Sequence, residues 1–217
     1  MIDTIIFDLD GTLLNTLDDL WASVNYSLAQ HRLPPRSKSE IRSFLGNGVK
    51  VLIEKSVPSL TSEPKVMEVL STFRKYYLIH AMDNTGPYDG IPELLSSLHS
   101  KGFKTAIVSN KPDAAVQELY DSLFKDNVDI AIGERPALRR KPSPDMVLAA
   151  LEILGSDVKH SIYVGDSEVD MATARNSNMR CVSVSWGFRD RSFLVEAGAE
   201  TIIDKPEELF LSLKFKI

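Results

Sequence analysis

The sequence predicts an α/β protein, with a doubly wound, Rossmann-like parallel-sheet core that carries an inserted helical cap. Three observations predict it. Short, uniformly apolar runs recur along the chain, as strands buried on both faces require. Helix-periodic segments lie between most of these runs. One long block, residues 15–83, breaks the alternation and shows helical spacing alone.

Thr4-Ile5-Ile6-Phe7 opens the pattern, a short apolar run that ends on polar Asp8. Thr105–Ser109, Asp129–Ile132, Ser161–Val164 and Cys181–Val184 share that form, and Thr201–Ile203 is a weaker sixth. Among the helical segments, Pro92–Ser100 sets Leu94, Leu95 and Leu98 on one face, and Pro144–Leu154 carries Met146, Val147, Leu148, Leu151 and Leu154. Inside the inserted block, Leu17, Leu20, Trp21, Val24 and Leu28 follow helix spacing, with Asp18 and Asp19 in the first turn, where the helix dipole favours acids. Ser37 followed by Glu40 signals a capping box for a second helix, expected to stop at Gly46. Val66, Val69, Leu70, Phe73, Tyr76 and Tyr77 mark a further helix. The expected organisation is therefore a core of residues 1–14 and 84–217, and a cap of residues 15–83. The two connections fall near Leu14–Thr16 and Asp83–Pro87, the second holding Gly86 and Pro87 as hinge residues.

Bulk properties narrow the function. The 217 residues suit one core domain with a smaller insertion, and 43% apolar with 25% charged residues suits a globular protein. A net charge of −5 offers no electrostatic reason to bind nucleic acid or an anionic membrane. An anionic substrate must then be attracted locally, by a metal or by placed cations. The single cysteine, Cys181, permits no internal disulfide and reads as a small core residue. The first residues carry no basic leader, and no segment reaches the ~20 apolar residues of a bilayer span. A cytoplasmic monomer or homodimer is expected. His31, His80, His99 and His160 show no ligand spacing and read as surface or packing residues, while Met67, Met82, Met146, Met171 and Met179 read as packing.

Chemistry is concentrated where strands end. Open α/β sheets bind ligands beyond the carboxyl ends of their strands. There the first run gives Asp8-Leu9-Asp10-Gly11-Thr12, the second Ser109-Asn110-Lys111, and the fourth Gly165-Asp166 with Asp170 following. Asp8 and Asp10 share a face of an extended chain. Two carboxylates held together repel unless a cation or a shared proton intervenes. Asp166 and Asp170, four apart, would be neighbours on a helix starting at Asp166. A hard cation such as magnesium takes oxygen ligands, which Asp8 and Asp166 would supply with Asp170 close behind. Either acidic pair alone is as readily a helix cap or a solvated face; their coincidence at adjacent strand ends argues for a site. Lys141 precedes Pro142, which favours an extended backbone and a projecting side chain. It would neutralise phosphate oxygens or the nucleophile.

Together these residues resemble the haloacid dehalogenase superfamily, whose four motifs occur here in order. They correspond to Asp8-Leu9-Asp10-Gly11-Thr12, to Ser109 with Asn110 beside it, to Lys141, and to Gly165-Asp166-Ser167-Glu168-Val169-Asp170. The resemblance implies that Asp8 is the nucleophile. It implies that Asp10 protonates the leaving alcohol and then activates the water that hydrolyses an aspartyl-phosphate. It implies that magnesium is held by Asp8, the Asp10 main-chain carbonyl and Asp166, with Asp170 near, and that Ser109 and Lys141 hold phosphate oxygens. Asp10 also argues against a dehalogenase, since a halide leaves without a proton.

A finer resemblance is to the bacterial phosphoglycolate phosphatase family. It rests on Phe44-Leu45-Gly46-Asn47-Gly48, Pro87-Tyr88-Asp89-Gly90, Lys141-Pro142-Ser143-Pro144 and Trp186-Gly187-Phe188-Arg189 with Gly198-Ala199. Asn15 and Asp89 depart from that family's pattern. The expected activity is hydrolysis of a small phosphorylated metabolite, with Ser109, Asn110, Lys141, Thr12, Gly46, Asn47 and Gly48 as substrate-binding residues. Gly46–Gly48 is read equally as a helix end and turn, and Trp186 equally as a lining of the site mouth or as loop packing. The alternatives are a phosphomutase, a pyrophosphatase or nucleotidase on the same machinery, and a non-catalytic binding protein.

Overall fold

The computed structural model describes residues 2–213. In chain order, β1 is Thr4–Phe7, and four helices follow: α1 (Leu17–Gln30), α2 (Lys38–Phe44), α3 (Gly48–Ser56) and α4 (Glu63–His80). Then come α5 (Ile91–Ser100), β2 (Lys104–Pro112), α6 (Asp113–Leu119), β3 (Ile130–Glu134) and α7 (Asp145–Leu154). The chain continues with β4 (Ser161–Gly165), α8 (Glu168–Asn176), β5 (Arg180–Val184), α9 (Arg191–Glu196), β6 (Ile202–Ile203) and α10 (Leu209–Ser212). It divides into two compact units, Met1–Leu13 with Pro87–Ile217, and Leu14–Gly86.

The first unit is α/β. Among the described residues, six strands form one parallel sheet in the order β3-β2-β1-β4-β5-β6. β1 is fully buried, so a charge at any of its four positions would be taken out of water. On one face Ile6, Ala106, Val108, Ile132 and Tyr163 pack with Met146, Val147, Ala150 and Leu151 of α7 and Ala174 of α8. The alternate residues Ile5, Phe7, Ile107, Ile162 and Val164 are buried too, so both faces are covered. Cys181 packs at the margin of this core, and burial pushes its thiol up to about 12. Register places the chemistry: Phe7 lies level with Ile107 of β2 and Val164 of β4. The residues that follow these three level positions, still within β2 in its case, are therefore neighbours, at the point where the strand order reverses.

The second unit is helical. Leu20, Val24 and Leu28 of α1 and Val66, Val69, Leu70 and Phe73 of α4 are buried. Ser37 caps α2 in a reciprocal capping box with Glu40. α2 ends at Phe44, and α3, which the sequence patterning did not delimit, begins at Gly48. Of the two acids in the first turn of α1, Asp18 is a surface partner of Lys38, while Asp19 is buried and accepts the Asn84 main-chain N–H at 3.0 Å. Met67 and Met82 correct the packing expectation: both are exposed, on the outer side of their segments. Met146, Met171 and Met179 are buried.

Candidate active site

Asp8 follows β1 directly and is 7% exposed. Asp166 follows β4 and is 1% exposed; Asp170, in α8, is fully buried. One carboxylate oxygen from each of these three lies within 4.8 Å of the others. Proximity of Asp166 and Asp170 does not come from the helical i, i+4 spacing expected from sequence. α8 starts only at Glu168, with Ser167 as its N-cap. Asp170 instead closes a capping box, accepting the Ser167 N–H at 3.1 Å and its hydroxyl at 2.6 Å. Asp166 is turned into the site from the preceding bend.

Lys141 enters from the loop before α7 and is 4% exposed. Its Nζ lies 2.7 Å from Asp8 Oδ1 and 2.8 Å from Asp170 Oδ1, and it donates to the Tyr163 hydroxyl at 3.0 Å. Tyr163 donates in turn to Asp170 Oδ1 at 3.2 Å. Asn110, expected on the substrate, has its side-chain amide on the Lys141 main chain. Its Oδ1 accepts the Lys141 N–H at 2.8 Å and its Nδ2 donates to the Lys141 carbonyl at 3.1 Å. The loop that delivers the lysine is thereby tied to the end of β2. Ser109 is buried beside it and accepts the Lys111 N–H at 3.2 Å.

Asp10 is placed differently from the other three acids. Its carboxylate pairs with Lys111 Nζ at 3.1 and 3.4 Å, and it does not join the cluster of three. Lys111, whose side chain is 4% exposed, and Tyr163 are site residues that sequence reasoning did not single out. Lys111 had a signal in its place beside Ser109 at a strand end. Tyr163 had none, for it sits in an apolar run and reads as core. Thr12, expected on the substrate, is buried with its hydroxyl 3.5 Å from Asp166 Oδ1. Trp186 donates its indole N–H to the Thr12 carbonyl at 3.0 Å. Gly46, Asn47 and Gly48 belong to the unit of residues 14–86, at the junction of α2 and α3, where both glycines have positive φ.

Three buried carboxylates lie together and the Lys141 ammonium contacts two of them, so the cluster has an excess of negative charge. Burial, and next the charge of Asp170, push the Asp8 carboxyl up to about 7, against the pull of Lys141. Burial and the charges of Asp170 and Asp8 likewise raise Asp166 well above the usual carboxylate range. Burial alone would lower the Lys141 ammonium, but Asp170 and Asp8 outweigh it and hold the lysine charged. Hard oxygen donors with uncompensated charge fit a divalent cation, which Asp8, Asp166 and Asp170 would hold.

The comparisons with known proteins agree with this geometry. The model of the haloacid dehalogenase-like hydrolase family matches residues 5–184. The chain is 34% identical to the phosphoglycolate phosphatase of Aquifex aeolicus over 85% of each protein. It is 28% identical to the N-acetylmuramic acid 6-phosphate phosphatase of Pseudomonas aeruginosa, over 94% of this chain and 92% of that one. A crystal structure from Lactobacillus delbrueckii subsp. bulgaricus, carrying a provisional phosphoglycolate phosphatase assignment, superposes with a TM-score of 0.91 at 37% identity, over 97% of this chain and 98% of that one.

Proposed function

The chain belongs to the haloacid dehalogenase-like hydrolase family, and from that premise we propose a magnesium-dependent phosphatase acting on small organic phosphate monoesters through an aspartyl-phosphate on Asp8. The observation that carries this reading is the buried trio Asp8, Asp166 and Asp170 with Lys141 bridging two of them. Asp8 Oδ attacks phosphorus while the bond to the ester oxygen breaks, and Asp10 gives that oxygen its proton. Water then attacks the phosphorus of the aspartyl-phosphate, Asp10 takes the water's proton, and inorganic phosphate leaves. Lys141 and Ser109 hold phosphoryl oxygens, and Lys141 keeps the Asp8 carboxylate oriented. Magnesium, held by Asp8, Asp166, Asp170 and the Asp10 main-chain carbonyl, would neutralise charge on the transferring group.

Residues 15–83 serve as the cap in this reading, admitting water only after phosphorylation. Phosphoglycolate and N-acetylmuramic acid 6-phosphate, named for two relatives, each pair a carboxylate with a phosphate ester. A small phosphorylated acid is therefore the substrate class to test first. The net charge of −5 supports such a metabolite over nucleic acid or membrane as the partner, and the protein acts in the cytoplasm as a monomer or homodimer.

The test is phosphate release from phosphorylated acids, sugars and nucleotides, with magnesium or with chelator. The expected result is magnesium-dependent release from a phosphorylated acid, reduced about 1,000-fold or more in Asp8→Asn. Undiminished turnover in that variant overturns the proposal. An isomerised hexose phosphate without free phosphate would establish the mutase alternative.

A further inference from the structure

The segment 186–189 follows β5 and takes no part in the reaction as drawn, yet each of its four residues is fastened at the site, two of them directly against Asp166. The Phe188 main-chain N–H donates to Asp166 Oδ2 at 2.6 Å. Trp186 is bonded to the Thr12 carbonyl at 3.0 Å, and the Thr12 hydroxyl lies 3.5 Å from Asp166 Oδ1. Gly187 lies against the Gly11 carbonyl and the Asp166 side chain so closely that a Cβ there would overlap both. Arg189, 8% exposed, grips Glu168 through two parallel bonds, Nε to Oε2 at 2.9 Å and Nη2 to Oε1 at 3.1 Å. Its guanidinium also sits 5.3 Å over the Phe193 ring.

From this we infer that segment 186–189 is a positioning strap for Asp166, and that the Glu168–Arg189 pair, by anchoring the strap to α8, sets how tightly the trio takes up a divalent cation. The inference rests on the metal reading of the trio made above. The physical argument is one of orientation. Asp166 presents two equivalent oxygens, and its carboxylate would rotate about χ2 if unrestrained. The Phe188 N–H occupies Oδ2, which directs Oδ1 to the cation. That N–H keeps its place only while the strap does. Phe188 stands between Gly187, wedged against Gly11, and Arg189, clamped to Glu168. Glu168 is the first residue of α8, the helix that also carries Asp170. One forked ion pair therefore couples the backbone that orients Asp166 to the helix that presents Asp170. Outer-sphere hydrogen bonds of this kind are typically worth 10- to 100-fold in metal affinity. The bidentate arginine fork, which lysine does not reproduce, supplies the rigidity.

The experiment is calorimetric titration of the full-length, metal-stripped protein with manganese, a readout independent of turnover. Wild type, Arg189→Met, Arg189→Lys and Glu168→Ala are compared below their melting temperatures. The expected result is manganese binding to wild type at unit stoichiometry, weakened about 10-fold or more in Arg189→Met and Glu168→Ala, and less in Arg189→Lys. Glu168 is 39% exposed at its side chain, so its variant carries the test if removal of the buried arginine prevents folding. A purely structural role would lower melting temperature in chelator while leaving the dissociation constant unchanged. Affinities within about twofold of wild type in both variants would overturn the strap alone. Absence of manganese binding by wild type would overturn the metal reading with it.

Discussion

Replacing Lys141 with methionine isolates the electrostatics of the site. Its ammonium lies 2.7 Å from Asp8 and 2.8 Å from Asp170, and its side chain is 3% exposed. Methionine has similar length and no charge, so Asp8, Asp166 and Asp170 would be left buried without the ammonium that contacts two of them. Removing one partner of a buried ion pair costs about 3–5 kcal/mol, chiefly because the remaining charge is uncompensated. At this size ~1 kcal/mol moves the melting temperature by ~2–4 °C, so Lys141→Met should melt about 6–20 °C lower in chelator at neutral pH. The carboxylates can relieve the cost by binding protons. Asp8 is already raised from its ordinary value to about 7, and losing the lysine raises it further. A carboxylate whose folded pKa exceeds its unfolded one destabilises the fold increasingly as pH rises between the two values. In the variant that range extends above about 7, where wild-type Asp8 is already ionised, so the deficit should shrink as pH is lowered from the alkaline side to about 7 and change little below it. Adding Asp170→Asn to Lys141→Met should also recover part of the loss. The assay is thermal unfolding by circular dichroism, with and without saturating magnesium, which should recover stability by supplying the missing positive charge. A fall of under about 2 °C in chelator, or a deficit that grows as pH is lowered, would refute the reasoning.

With Asp8 raised to about 7 and Asp166 raised as well in the metal-free protein, divalent-cation affinity should rise by roughly tenfold or more per pH unit up to neutrality. Calorimetry at pH 6 in buffers of different ionisation enthalpy should detect the released proton, and a buffer-independent heat would refute this. Ser167→Ala removes the N-cap of α8 and a 2.6 Å bond to Asp170; it should cost about 0.5–2 kcal/mol in urea unfolding and also weaken manganese binding. Gly11 has φ +91° and faces Asp166 where a Cβ would strike the carboxylate. Gly102→Ala, with open space around its positive φ, should lose only about 1–3 kcal/mol, from backbone strain, and Gly11→Ala should lose more because the added Cβ also strikes Asp166. Ile6→Ala, fully buried between two helical layers, should cost about 2–5 kcal/mol without changing metal affinity.

Features set by local chemistry were legible before any coordinates. Thr4–Phe7 is a strand because a parallel sheet covered on both faces demands four consecutive apolar or small residues, and the observed strand has those bounds. Ser37 and Glu40 announce the start of α2 because the bonds they make join residues three apart. The acids at the ends of β1 and β4 were readable for a related reason: buried strands are apolar, so a carboxylate at their margin stands out.

Contacts between distant segments were decided only by folding. Lys111 reaches Asp10 across 101 positions, and Lys141 is held by Asn110 across 31. Tyr163 completes the Lys141–Asp170 triangle from within a run that looks wholly structural. Asp166 meets Asp170 through a capped bend and not along a helix face, and segment 186–189 reaches Asp166 with a backbone N–H, a donor that every residue but proline carries. Periodicity and caps involve residues within a few positions of each other and leave their mark in the sequence. Pairing across a sheet depends on register and strand order, which set Phe7 beside Ile107 and Val164. That register brings four distant stretches of chain to one sheet edge, and only there do their separate charges become one site.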